Sequence, residues 1–579
     1  MATDQYDVAI IGGGPAGSTT GTFLRKYAPE TRVVILEREK FPRDHVGESQ
    51  LPGISHILNE MGVWDKVEAA NFPVKIGGTY KWGKTAELWD FDFMPVHLIK
   101  PEPRPGKFVG QRRNLAFQVD RSIYDEILLD HAASLGCDVR EETRVLSIER
   151  EGDRVTGLRL ESGETITARW YVDASGNSGI LRRAMGVEVE YPTALQNIAI
   201  WDYWQNASWA EEIGIGGTRI QVMSIGYGWI WFIPLGPTRT SIGLVVPKET
   251  LKRLGKTAEE LYRESLPLDA RIWRLMEGAE SEGKLQTTRD WSFEADRHCG
   301  ENWMLVGECA GFADPILSAG LTITHASGRE AAFTLLSLDS DENPDWLLAE
   351  YSRRQKRRIR SHIQFADYWY TANTQFKDLS EHTSEIAREG GLELNPEQAW
   401  DWIARGGFIL DEQSFGFAGV HFSLLKDLTA HMGDMPETRP VDVNNVFHPN
   451  LNDSVHEEFA QYKQGRVKRI ECLMRDGKMW PLEGPYGYWY HTLSQVTTAP
   501  KIVEALHKAF PANVDVAHKQ AEIFRLITAL NILIIDGWVT ASHDEMHPVL
   551  QPMNYTRTVK WHEADAPLQT VGKPKNEQG

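Results

Sequence analysis

Asp7-Val-Ala-Ile-Ile-Gly12-Gly-Gly14-Pro15-Ala16-Gly17 is the stretch that decides the fold. An apolar, strand-like run goes straight into a glycine turn, and a helical stretch follows from Ser18. Gly12 allows the tight turn. Gly14 lets the backbone approach a pyrophosphate, and Gly17 lets helix and strand pack closely. Pro15 and Ala16 belong to the same turn, where the helix N-terminus attracts phosphate charge. A second strand, Arg32-Val-Val-Ile-Leu36, ends at Glu37, twenty residues beyond Gly17, where a carboxylate can accept bonds from ribose hydroxyls. Strand, helix, strand and acid in register predict a Rossmann-like, dinucleotide-binding α/β domain.

Working outward, 579 residues suggest about two to four domains. Lys and Arg number 62 against 81 Asp and Glu, a net charge of −19 that argues against nucleic acid as a partner. The four cysteines (Cys137, Cys299, Cys309, Cys472) are scattered, so neither a zinc site nor a disulfide framework is indicated. No apolar run approaches the ~20 residues that cross a bilayer, and the N-terminus lacks a signal-peptide pattern. The expectation is a cytoplasmic protein with reduced thiols, no metal and no membrane partner.

Residues 1–375 read as one module, with a mostly antiparallel substrate-side sheet from about 70–120 and 190–290. Residues 376–579 read as a mainly α C-terminal domain, with a winged-helix-like outline at about 500–547 and a tail from about 563. Trp538-Val539 is placed at the start of a short hairpin there. The basic run from Arg353 to Arg360 reads as a solvated helix face, or as a dock for an acidic carrier protein. The aromatic cluster Trp480, Tyr486, Tyr488, Trp489 and Tyr490 reads as a local core or an aromatic cleft.

A second glycine-bearing segment, Gly307-Glu308-Cys-Ala-Gly-Phe-Ala-Asp314-Pro315, again joins a strand-like run to a helix. With the first motif and Asp173-Ala-Ser-Gly176, it resembles the FAD-dependent monooxygenase superfamily. That resemblance implies a p-hydroxybenzoate-hydroxylase-like fold that binds FAD. The FAD-binding set is then Gly12, Gly14, Pro15, Ala16, Gly17, Glu37, Arg43, Glu48, Ser49, Arg121, Asp173, Asp290, Glu308, Asp314 and Pro315. Where that superfamily reads Gly-Asp, this chain has Gly307-Glu308, one methylene longer toward the flavin ribityl chain.

Three further segments narrow the resemblance to flavin-dependent halogenases of the phenol and pyrrole branch. They are Phe41-Pro-Arg-Asp-His-Val-Gly-Glu-Ser49, Phe72-Pro-Val-Lys75-Ile-Gly-Gly-Thr-Tyr-Lys-Trp-Gly83 and Gly228-Trp-Ile-Trp-Phe-Ile-Pro234. The resemblance implies that reduced FAD, oxygen and chloride or bromide give hypohalous acid. Lys75 would guide that acid to an electron-rich ring, by hydrogen bond or as a haloamine. Haloamine formation needs a neutral amine, which burial favours. Lys81, six residues on, is the nearest competitor. Trp229 and Trp231 would form a wall between substrate and flavin. Ser318 joins the catalytic set, and backbone N–H groups at Ala319 and Gly320 would hold the halide. Tryptophan-type halogenases carry a glutamate where this chain has Leu317, which favours a phenolic or pyrrolic substrate, free or tethered to a carrier protein. Asp290-Trp-Ser292 matches a segment that carries FAD covalently in one similar halogenase. No second complete GxGxxG exists for NAD(P)H, so a separate flavin reductase would supply reduced FAD. Two other readings stay open: an aromatic hydroxylase or geranylgeranyl-reductase-like enzyme, and a non-catalytic flavin-binding partner of a biosynthetic assembly.

Overall fold

The protein is seen here as a computed structural model. It describes residues 5–373 except 83–86, 95–97, 192–195, 210–216, 342 and 372, together with 440–509 except 477, 516–550 and 559–562. The expected boundary near 375 and the tail from 563 lie outside the described residues.

The predicted βαβ unit is present. Tyr6–Ile11 leads through the glycine turn into the helix Pro15–Tyr27 and on to the strand Val33–Leu36. Pro15 stands at the first helical position, where a missing N–H costs nothing. These strands belong to a five-stranded parallel sheet in the order 303–305, 168–173, 6–11, 33–36, 138–140. Their residues, such as Ile10, Val34 and Ile35, are buried on both faces, as a sheet sandwiched by helices requires. The long helix Gly320–Leu338 packs on the first helix, and Pro344–Thr371 packs on Gly320–Leu338.

The substrate-side sheet is larger. Its order is 280–281, 196–205, 239–247, 228–234, 217–225, 74–81, 88–92, 559–562, with 286–291 beside 196–205 and 116–117 beside 74–81. All its pairings are antiparallel except 217–225 with 74–81. The segment Val559–His562 pairs with Leu88–Asp92, so backbone from near the C-terminus lines the edge of the substrate sheet.

The described C-terminal residues contain the helices Gly484–Leu493, Ala499–Lys508 and Val516–Ile535, and also a three-stranded antiparallel sheet, 455–463, 466–475, 478–481. Trp538-Val539 does open a strand, Val539–Ser542. Its partner, however, is Val446–Pro449 rather than an adjacent hairpin arm. Trp480, Trp489 and Trp538 are fully buried in one apolar cluster, so the aromatic run there is core rather than cleft.

The basic run on Pro344–Thr371 is internal in part: Arg354 and Arg358 are buried, whereas Arg360 is exposed. Arg354 and Arg358 converge on the buried Glu330, Arg353 meets Glu350, and Arg360 reaches Glu294 and Glu190. Buried arginines survive only when paired, and the pairs of Arg354 and Arg358 with Glu330 fasten this helix to Gly320–Leu338.

Candidate active site

The cleft begins at the glycine turn. Gly12 has φ +108°, and a Cβ there would lie 2.4 Å from the Ala174 carbonyl oxygen. A Cβ at Gly17 would lie 1.9 Å from the Gly12 carbonyl oxygen. Both glycines are therefore demanded by the protein's own packing. Gly14 differs, since a Cβ there would meet only the Arg43 guanidinium, at 3.4 Å. Arg43 pairs with Asp125 at 3.5 Å through Nη2, while its Nη1, beside that open space, is buried with no acceptor among the described residues. Glu37 accepts the Gly13 amide at 2.7 Å and the Glu39 amide at 2.8 Å, so it also stiffens the turn.

The loop carrying Glu48 and Ser49 is held by Arg121. Its guanidinium forms a two-pronged pair with Asp125 (2.7 and 2.8 Å) and donates to the carbonyls of Val46 (2.9 Å) and Gly47 (3.2 Å). Burial lifts Glu48 to about 7, and Tyr203 donates to it at 3.2 Å. The Ser49 hydroxyl is buried without a partner.

Asp173 sits at the strand end as expected, but its carboxylate is fully engaged. It accepts from Ser175 and from the amides of Leu181 and Arg182, and so builds the turn rather than facing the cleft. Glu308 is the reverse case. Its carboxylate has no partner among the described residues, lies near Gly176, and is raised by burial against the opposing pull of Arg121.

The late loop is built by Asp314. Its carboxylate caps the turn Pro315–Leu317 through the Ile316 amide at 2.9 Å. It also accepts from Tyr370 Oη (3.0 and 3.1 Å) and Asn197 Nδ2 (3.1 Å), and burial raises it to about 6. Ser318 then takes φ +56°, a conformation uncommon outside glycine. Ala319 is buried, whereas Gly320 is exposed, and a Cβ at Gly320 would meet nothing within 4 Å. Gly320 starts a nineteen-residue helix, whose first amides have no partner within the helix.

The strand Val74–Lys81 carries the lysine. Its register against 217–225 shifts by one residue: Thr218 faces Lys75, but Arg219 faces Gly77. Ile76 is the extra residue of a bulge, which re-aims everything before it. Lys75 therefore shares a face with Thr218, Ile220 and Val222, the face on which Trp229 and Trp231 stand opposite Ser224 and Val222. Lys81 falls on the other face, where it pairs with Asp269. Lys75 is 1% exposed, meets no carboxylate among the described residues, and has its ammonium 5.4 Å from the centre of the Phe93 ring. Burial pulls its pKa down to about 7.

The tryptophan wall is buried and anchored. Trp229 donates to Tyr370 Oη at 2.7 Å, and Trp231 donates to Ser241 at 3.1 Å, with ring centres 6.0 Å apart. Trp231 lies in the space left by Gly243, where a Cβ would stand 2.1 Å from the ring. Sequence reading missed Tyr370, Asn197, Gly243 and the bulge. Asp290 faces Asn197 in strand register, but its side chain, which the covalent reading concerns, lies outside the described residues.

These residues fit a flavin dinucleotide. The cleft offers open backbone at Gly14 and Gly320, an arginine at the turn whose Nη2 pairs with Asp125 while its buried Nη1 has no acceptor among the described residues, and a glutamate midway, Glu308, with no partner among them. A model of the tryptophan halogenase family matches residues 7–103 and 99–380. A 1H-pyrrole-2-carbonyl-[peptidyl-carrier protein] chlorinase of Pseudomonas fluorescens is 30% identical over 393 residues, covering 65% of this chain and 86% of that protein. A tryptophan 2-halogenase of Chondromyces crocatus is 34% identical over 346 residues, covering 58% of this chain and 62% of its own length. The fold of the flavin-dependent halogenase CmlS covers 96% of this chain and 99% of its own, with a TM-score of 0.70 at 24% identity. The myxobacterial chondrochloren halogenase CndH follows at 29% identity and a TM-score of 0.58, covering 68% of this chain and 91% of its own. By fold, site and sequence, the chain belongs to the flavin-dependent halogenase family.

Proposed function

We propose that this protein halogenates an electron-rich aromatic ring, phenolic or pyrrolic, in natural-product biosynthesis, and that Lys75 delivers the oxidised halogen. One observation carries the reading: Lys75 is buried, with no counter-ion among the described residues, on the face that bears the tryptophan wall. A lysine buried for stability alone would be paired. The hydroxylase and reductase readings, and the non-catalytic one, give this amine no task.

Reduced FAD, when bound, supplies with oxygen the two-electron oxidation that turns halide into hypohalous acid. The chain's own residues do the rest. Gly12, Gly14, Gly17 and Arg43 hold the pyrophosphate, and Glu308 lies where a ribityl hydroxyl would need an acceptor. Ala319 and Gly320 present amides to the halide, an arrangement suited to anions. Trp229 and Trp231 keep the ring away from the flavin. Lys75, neutral in part near pH 7, receives the oxidised halogen and fixes its direction. A separate reductase supplies reduced FAD. The relative acting on a carrier-bound pyrrole supports a tethered substrate here.

The test needs no substrate. With enzymatically reduced FAD, oxygen and bromide or chloride, the wild type holds a thiol-quenchable oxidised halogen, and Lys75→Ala does not. Peroxide alone, with no effect of halide, overturns the reading.

A further inference from the structure

Beside Lys75 lies a second group of buried polar side chains. The short strand Ala116–Phe117 pairs with 74–81, Lys75 facing Ala116, and Ser49 is bridged to Gln118 on the far side. Paired residues share a face, and alternate residues along a strand return to it. Ser49, Gln118, Ala116, Lys75 and Thr218 therefore stand on one face. The alternating residues Leu115, Phe117 and Val119 point the other way, into an apolar core with Val74.

Gln118 is 0% exposed, yet neither its carboxamide oxygen nor its nitrogen has a hydrogen-bond partner among the described residues. The Ser49 hydroxyl, in a residue 6% exposed, has none among them either. Unpaired buried polar atoms are rare and costly, and three on adjoining residues mark a place built for something that is not protein. Lys75 lies diagonally across from Gln118, about 7–8 Å away at the level of such strand neighbours and within reach of a long side chain.

We propose that Gln118, with Ser49, forms a hydrogen-bonding station that hands hypohalous acid from the flavin-side loop to Lys75. The inference rests on the halogenase reading above. Hypohalous acid is small and neutral, with one O–H donor and a lone-pair oxygen. A carboxamide complements both, since its carbonyl accepts the O–H and its N–H donates to the oxygen. The station also has to survive its cargo. An amide and a hydroxyl resist halogenation, whereas thiols, thioethers and indoles are consumed by it, and those five residues carry none of the latter. Among those five residues Lys75 alone is readily halogenated, and the indoles of Trp229 and Trp231 stand further along the same face. Gln118 acts as a positioning residue, and no bond is made or broken on it.

The experiment uses the full chain with reduced FAD, oxygen and bromide. Per oxygen consumed, it compares the oxidant held on the protein with the oxidant released to a dimedone trap in solution. Gln118→Leu, similar in size but without hydrogen bonds, should shift that ratio about fivefold toward release. Peptide mass spectrometry should then find bromine on tyrosines and tryptophans of the chain itself. Ser49→Ala should shift the ratio in the same direction by less, and it serves if Gln118→Leu does not fold. A wild-type ratio in Gln118→Leu, or in Ser49→Ala where that variant stands in, overturns the proposal. If the wild type forms no halide-dependent oxidant at all, the halogenase reading itself has failed, which the same trap registers first.

Discussion

The two ends of the strand Val74–Lys81 carry a lysine each, six residues apart, and the two could hardly differ more. Lys81 faces the outer side of the sheet and pairs with Asp269, which also caps the helix Ala270–Leu275. Lys75 faces the inner side, meets no carboxylate among the described residues, and has its pKa pulled down to about 7 by burial alone. In an unbroken strand the even spacing would put both on one face. The bulge at Ile76 separates them. Register, not residue type, decides which lysine is structural and which is reactive.

The largest test of that contrast is a pair of methionine substitutions. Lys75→Met should abolish halogenated product and yet raise the melting temperature. The folded-state pKa lies below the ordinary 10.5, so the buried charge costs stability in full below pH 7. The cost fades as pH rises from 7 to 10.5. Its size is on the order of 5 kcal/mol. Melting curves at pH 6 and pH 10 should show the stabilisation large at the first and small at the second. Product formation in the wild type should fall as the pH drops below about 7, because the amine protonates. Lys81→Met should do the opposite, losing about 1 kcal/mol with its ion pair and keeping product yield. Equal melting shifts in the two variants would sink the comparison.

A second pair tests the glycine turn. Gly17→Ala places a methyl against the Gly12 carbonyl and should unsettle the turn itself, lowering the melting temperature of the flavin-free protein. Gly14→Val meets only a movable arginine, so the flavin-free protein should melt as the wild type does while failing to retain FAD. Flavin absorbance after gel filtration separates the two effects. A Gly14→Val protein that stays yellow would move the pyrophosphate elsewhere.

Much of this was legible in the sequence because it is local. The glycine turn, the acid at the end of the second strand, the late Gly307–Pro315 segment and the Gly228–Pro234 strand each announce themselves within a few residues. What was not legible depends on register or on partners far away in the chain. No local signal says that Ile76 is an extra residue, and that alone separates Lys75 from Lys81. Asp173 looked like a ligand-facing strand end, but its oxygens are taken by amides up to nine residues later. Arg354 and Arg358 looked like surface residues because their acid, Glu330, lies 24 and 28 residues away. Gly243 gave no hint either, since its meaning is the Trp231 ring on the neighbouring strand.

Tyr370 is the longest-range of these omissions and yields the smallest effect. It sits near the end of a 28-residue helix, yet its hydroxyl accepts from Trp229 and donates to Asp314, joining the wall to the loop that presents Ala319 and Gly320. Tyr370→Phe keeps the ring and deletes the joint. Trp229 loses its acceptor, and Asp314 keeps only the Ile316 amide and Asn197. Stability should fall by about 1–2 kcal/mol. Asp314, already lifted to about 6 by burial, loses a donor that favours its charged form and should titrate higher still. If that carboxylate holds the halide loop in shape, the KM for bromide should rise at pH 6–7 and recover toward pH 8, with kcat little changed. A fall in kcat at constant KM would instead place Tyr370 with the wall alone, and the two regions would then act separately.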